Sequence, residues 1–118
     1  MLHNALKVAI DVKFAEALAE PTELCQDALL VRLHNGVVIE LRIASVEDYA
    51  ISWRWGDTEL RIDTAPLHPE LSTYPNHLHN EDLLLPDPLT HPGRDSYDNV
   101  IAVIKALIAD PLLQSHRE

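Results

Sequence analysis

The chain has a single cysteine, Cys25, among its 118 residues. One thiol closes no internal disulfide and builds no multi-thiolate zinc centre, and it fits a reducing compartment. Cys25 is expected to be a small buried hydrophobe. No segment approaches the roughly 18 consecutive apolar residues of a membrane span. Asp11, Lys13 and Glu16 interrupt the first apolar stretch, so no secretory leader is expected. Positive charge is scarce: nine Lys and Arg stand against nineteen Asp and Glu, a net charge of −10. Bulk charge of that sign repels nucleic acid, so any contact with RNA or DNA needs a local basic patch. The same charge suits a partner of opposite sign. A composition of 47% apolar and 24% charged residues excludes long disorder, collagen and coiled coil. The length fits one cytoplasmic domain, residues 1–118, with a core of its own and no membrane partner.

Two periodicities divide the chain. Over residues 2–19, Leu6, Ile10, Phe14 and Leu18 recur at i, i+4, with Leu2, Ala9 and Ala17 beside them; this predicts an amphipathic helix stopped before Pro21. Over residues 28–63 the period changes to two. Leu29, Val31 and Leu33, then Val37, Ile39, Leu41 and Ile43, then Tyr49, Ile51, Trp53 and Trp55, then Leu60 and Ile62 alternate with polar or smaller residues. This predicts four strands of an antiparallel meander with one covered face, and places Trp53, Trp55, Ile39 and Leu41 in the core. Parity constrains the turns, because cross-strand partners share a face. Leu33 must pair with Val37, which leaves a three-residue loop, His34-Asn35-Gly36, with Gly36 left-handed in a G1 bulge. The parity switch from Trp55 to Leu60 requires an even loop within residues 56–59. Residues 65–93 hold six of the eight prolines and four of the seven histidines. They read as a long Pro/His-rich functional loop, with a short strand near His77–His79. Residues 96–109 predict a second helix, with Tyr97, Val100, Ile101, Ile104, Leu107 and Ile108 as its stripe, Asp95 or Ser96 as its cap and Pro111 as its stop. The expected fold class is α+β: a four-stranded sheet with the N-terminal and C-terminal helices on one face.

Two groups of residues carry chemistry. Arg32, Arg42, Arg54 and Arg61 fall on the uncovered sheet face, one per strand, and guanidinium forks there suit phosphate or nucleic acid. Glu40, Glu59 and Asp63 share that face, and the interleaving favours a plainer reading as a solvated surface of ion pairs. The second group begins at Asp63 and runs through His68 to Thr73, Tyr74, His77 and His79. His77 and His79 lie two apart, so an extended segment turns both to one side. Two imidazoles supply a proton acceptor and a donor for RNA cleavage, with Arg61 on phosphate, His68 in support and Thr73 or Tyr74 as hydroxyl donors. His68, His77 and His79 together are also a ligand set for zinc. By spacing alone a plain structural role, imidazoles hydrogen-bonded within the loop, is the favoured reading. The reading adopted assigns Asp63, His68, Thr73, His77 and His79 to catalysis, with no metal and no cofactor.

The stretch from about Ala28 onward resembles the TumE-like family, the toxin component of a bacterial type II toxin–antitoxin system. The shared pattern is an L-x-(D/N)-G hairpin (Leu33, Asn35, Gly36), a Y-x-x-x-W strand (Tyr49, Trp53) and a proline–histidine segment. That segment holds Asp63, Ala65, Pro66, His68, Leu71, Thr73, Pro75, His77 and His79, and a closing helix follows. Thr64 stands where the pattern has Asn, and Leu67 where it has the first of two histidines. The resemblance implies a growth-inhibiting protein held by a cognate antitoxin with a helix-turn-helix domain, in a hetero-oligomer or alongside a homo-oligomer. It fixes no reaction: cleavage of RNA, a common mode among such toxins, is the leading expectation, and a non-enzymatic toxin or interaction module that binds a cellular target is the alternative.

Overall fold

A computed structural model describes residues 2–116. The order of elements is α1 (Leu2–Lys13), β1 (Glu23–Cys25), β2 (Ala28–Arg32), β3 (Val38–Ser45), β4 (Asp48–Trp55), β5 (Thr58–Asp63), β6 (His77–Asn80), β7 (Leu83–Pro86) and α2 (Ser96–Ala109), then a 3₁₀ turn, Gln114–His116. The α+β class holds, but the antiparallel sheet has seven strands rather than four, in chain order from β1 to β7. No helix among the described residues is long and apolar enough to cross a membrane.

The alternation read from residues 28–63 is the burial pattern of β2 to β5. Val31, Ile39, Leu41, Ile51, Trp53, Leu60 and Ile62 are all buried. One apolar cluster joins them to Leu6 and Ile10 of α1 and to Val100, Val103, Ile104 and Leu107 of α2. The first hairpin keeps the expected loop: the Leu33 amide donates to the Val37 carbonyl at 2.9 Å, and Gly36 has φ of 96°. The later parity switch resolves as a two-residue turn, Gly56-Asp57, closed by the pair Trp55–Thr58, which sets Trp53 across from Leu60.

Several expectations need correction. Trp55 is 40% exposed, not core. It keeps the parity of Trp53 but lies at the strand's end, where its indole N–H donates to the Asn35 carbonyl at 2.9 Å. Cys25 is exposed, because it lies on the edge strand β1. The first helix ends at Lys13, not at residue 19. Beyond it the backbone joins the sheet instead: the Ala19 amide donates to Arg32 O and the His34 amide to Ala17 O, at 2.8 and 2.9 Å. Phe14 and Leu18 remain buried, which is why the apolar spacing outlasts the helix. In α2, Val103 is buried and Ile108 is 41% exposed, so the stripe is rotated from the expected one. The Asp95 carboxylate caps α2, accepting the Tyr97 amide at 2.8 Å.

The largest correction concerns residues 65–93: the short strand expected near His77–His79 is present as β6, but it is joined by β7 in a complete hairpin. β6 pairs with β5 (Ile62–Leu78, Asp63–His77, Arg61–His79) and β7 pairs with β6 (His77–Pro86, His79–Leu84). Leu78 enters the core, so His77 and His79 share the opposite face.

Candidate functional site

β5 and β6 position the site. Asp63 and Arg61 are two apart on β5, directly across from His77 and His79 on β6. All four side chains therefore rise from the face of the sheet opposite the apolar core. Asp63 is the hub. Its Oδ1 accepts the Ala65 amide at 3.1 Å, a turn that begins the loop, and meets His77 Nε2 at 2.9 Å. Its Oδ2 meets Arg61 Nε at 2.9 Å and lies 3.9 Å from His79 Nε2.

The three histidines differ in role. The His77 side chain is 1% exposed, while His68 and His79 are 29% and 36% exposed. His77 Nδ1 faces the Pro75 carbonyl at 3.2 Å, an acceptor only, so that nitrogen carries the proton. Its Nε2 is left to Asp63 Oδ1, 2.9 Å away. His77 is thus a buried support, and His79 and His68 are the imidazoles that a solute can reach. The rings are close: 4.7 Å between the centroids of His77 and His79, 5.0 Å for His68 and His77, and 6.3 Å for His68 and His79. Partial burial, then the charges of His77 and Arg61, hold His79 below the ordinary imidazole value against the pull of Asp63. His79 is therefore neutral at neutral pH and able to accept a proton.

Of the four arginines, only Arg61 lies in this cluster. Arg32 pairs with Glu23 and Glu20 at 2.8 and 3.1 Å, on the β1 side of the sheet. Arg42 pairs with Glu40 at 2.6 Å. Arg54 stands across from Glu59 and makes no ion pair of its own among the described residues. A cleft of about 590 Å³ lies beside Asp63, with Ala50 in its lining and Arg42 and Arg61 among its walls. Arg61 also lines a smaller cleft of about 340 Å³ with Ser52 and His79.

Thr73 serves the loop. Its hydroxyl donates to Asn76 O at 2.8 Å and accepts the Asp87 amide at 2.9 Å. Tyr74 is exposed. Thr64, at a departure from the family pattern, is buried and accepts the Tyr49 amide through its hydroxyl at 3.1 Å. Leu67, at the other departure, is 70% exposed.

Sequence reasoning did not find the buried network that braces the hairpin. Asp87 is 4% exposed. Its carboxylate accepts Asn76 Nδ2 at 2.7 Å, the Leu89 and Thr90 amides at 2.8 and 3.0 Å, and the Thr90 hydroxyl. The Tyr49 and Thr90 hydroxyls lie 2.7 Å apart. Burial pushes the Tyr49 phenol up to about 12, so it stays protonated. The sequence signal was Asp87-Pro88-x-Thr90, an Asx-turn pattern whose carboxylate caps the amides two and three residues on. Asp87→Ala leaves several buried donors unmet and is expected to destabilise the protein by about 3 kcal/mol. Urea denaturation checks this, and a loss below about 1 kcal/mol would remove the network from any bracing role.

Three imidazoles and a carboxylate beside a guanidinium, gathered by β5, β6 and the loop between them, make up the candidate site of a small α+β protein. Residues 7–110, nearly the whole chain, match the family described as Toxin TumE, and the chain belongs to that family. A toxin role follows from that membership. No curated protein and no solved structure matches the chain.

Proposed function

We propose that this toxin acts in the cytoplasm by cleaving RNA at the Asp63–His68–His77–His79–Arg61 cluster, and that a cognate antitoxin with a helix-turn-helix domain neutralises it in a type II pair. The observation that carries the reading is the pairing of two accessible imidazoles with a guanidinium over one buried His–Asp support. His79, uncharged, takes the proton of a ribose 2′-hydroxyl as its oxygen attacks the adjacent phosphorus. The bond from phosphorus to the 5′-oxygen breaks, and His68 in its protonated form gives that oxygen its proton. Arg61 offsets the charge that grows on the phosphate oxygens. The products are a 2′,3′-cyclic phosphate and a 5′-hydroxyl, so an RNA with a single 2′-deoxy position resists cleavage there. Arg42 lines the cleft that runs on from Arg61 and offers a second phosphate contact. The net charge of −10 favours an antitoxin with a basic or mixed-charge docking surface.

Induced expression is expected to arrest growth, and co-expression of the antitoxin to restore it. His79→Ala removes the proton acceptor from a partly exposed position, so RNA cleavage drops on the order of 10²–10⁴-fold while the melting temperature stays nearly constant. Thermal denaturation beside a growth assay of the same variant separates this from a structural role. Undiminished growth inhibition by His79→Ala and His68→Ala would rule the mechanism out.

A further inference from the structure

We propose that Asp63, His77 and His79 form a binding site for a divalent cation of the zinc type. Each residue offers one ligand atom, and these atoms all lie within 4.8 Å of one another. The environment is prepared as such sites are. His77 donates Nδ1–H to the Pro75 carbonyl, which fixes its tautomer and leaves Nε2 pointing at Asp63. A ligating histidine is ordinarily held through its other nitrogen in this way. Asp63 is itself held, by the Ala65 amide at 3.1 Å. Two of the three side chains are buried, which limits competition from water, and His79 opens toward solvent as the entry side. Zinc ligands lie about 2.0–2.2 Å from the ion, so opposed donors must close to within about 4 Å. A rotation of the partly exposed His79 ring supplies that approach. His68, with its ring 5.0 Å from that of His77, brings a fourth nitrogen within reach. Two imidazoles and one carboxylate select a borderline metal, because calcium and magnesium require mostly oxygen ligands.

Arg61 opposes the ion, since its guanidinium holds Asp63 Oδ2 at 2.9 Å. It is half exposed and free to swing outward when the ion arrives. The site stands on its geometry, independently of RNA cleavage. Where cleavage holds, the bound ion takes the His79 nitrogen that accepts the proton, and zinc is an inhibitor.

The full chain, stripped with chelator, is titrated with Zn²⁺ by calorimetry, and with Co²⁺ for the visible bands of a tetrahedral site. Saturation at a single ion per chain is expected. His79→Ala and Asp63→Asn should each weaken zinc binding by about 100-fold or more, while the exposed His34, outside the cluster, can be replaced by alanine without effect. Arg61→Ala should tighten zinc by about tenfold, whereas the same variant loses growth inhibition if cleavage holds. No saturable binding, or affinity unchanged in both His79→Ala and Asp63→Asn, overturns the site. Zinc binding intact in a chain that never inhibits growth counts against the cleavage reading alone.

Discussion

Trp53→Ala is expected to lower the stability of this protein by about 3–5 kcal/mol, the range for emptying a large aromatic site. Trp53 is 1% exposed in the middle of β4, between Ile39 of β3 and Leu60 of β5. Its indole N–H also donates to the Pro111 carbonyl at 2.9 Å, so the ring fastens the chain just beyond α2 to the sheet. Alanine therefore opens a cavity and strands a carbonyl in the same step. For a domain of about this size each kcal/mol is worth roughly 4–8 °C, so the melting temperature should fall by more than about 12 °C. Trp53→Phe keeps most of the ring volume and should lose markedly less. Equilibrium unfolding of the two variants at unchanged m-value is the check. A loss under about 1 kcal/mol for alanine would mean that Trp53 is not a core residue.

Asp63→Asn is expected to have the largest effect on function. Three side chains take their positions from that carboxylate: His77 through Oδ1, and Arg61 and His79 on the side of Oδ2. Asparagine has nearly the same shape and still accepts the Ala65 amide through its carbonyl. Its amide group, however, presents N–H toward a nitrogen or a guanidinium that needs an acceptor. The charge that holds Arg61 is lost, and the His77 ring faces a neutral carbonyl in place of a carboxylate. If the cluster cleaves RNA, the rate should drop on the order of 10²–10⁴-fold. Growth inhibition should disappear while the protein remains folded by circular dichroism. A fully active, folded Asp63→Asn would show that the carboxylate organises nothing of consequence.

Much of this architecture was legible in the sequence, and the reasons are physical. β2 to β5 are half-buried interior strands, so their apolar residues alternate and reveal both the face and the register. The same parity placed the loop at Gly36 and the short turn after Trp55. α2 carries a stripe, a cap and a proline stop, and all three lie close together. The edges were not legible. β1 is three exposed residues, so burial imprints no alternation on it. β7, Leu83–Pro86, is apolar on both sides of the strand and ends in proline, which reads as loop. The end of α1 was not legible because Phe14 and Leu18 continue its spacing while the backbone from Ala17 to Ala19 joins the end of β2. In the site, spacing alone put His77 and His79 on one side. It did not separate a buried support from an accessible imidazole, since that depends on how deeply each row of the sheet is covered. Asp63 entered as a neighbour of the histidines, and its place at their centre follows from the β5–β6 register.

The sheet adds its strands in the order in which they are synthesised, each beside the one before it. Most strand pairings thus close a short loop, the exception being β5–β6 across residues 64–76, and the sheet can grow progressively from its first hairpin. The candidate site sits late in that sequence. Asp63 is made well before its partners, and the cluster is assembled only when β6 pairs with β5. The core is sealed later still, when α2 delivers Val100, Val103, Ile104 and Leu107 and Trp53 finds Pro111. If the cluster carries the toxin's activity, that activity waits until β6 has paired with β5, since Asp63 alone holds neither His77 nor His79 in place.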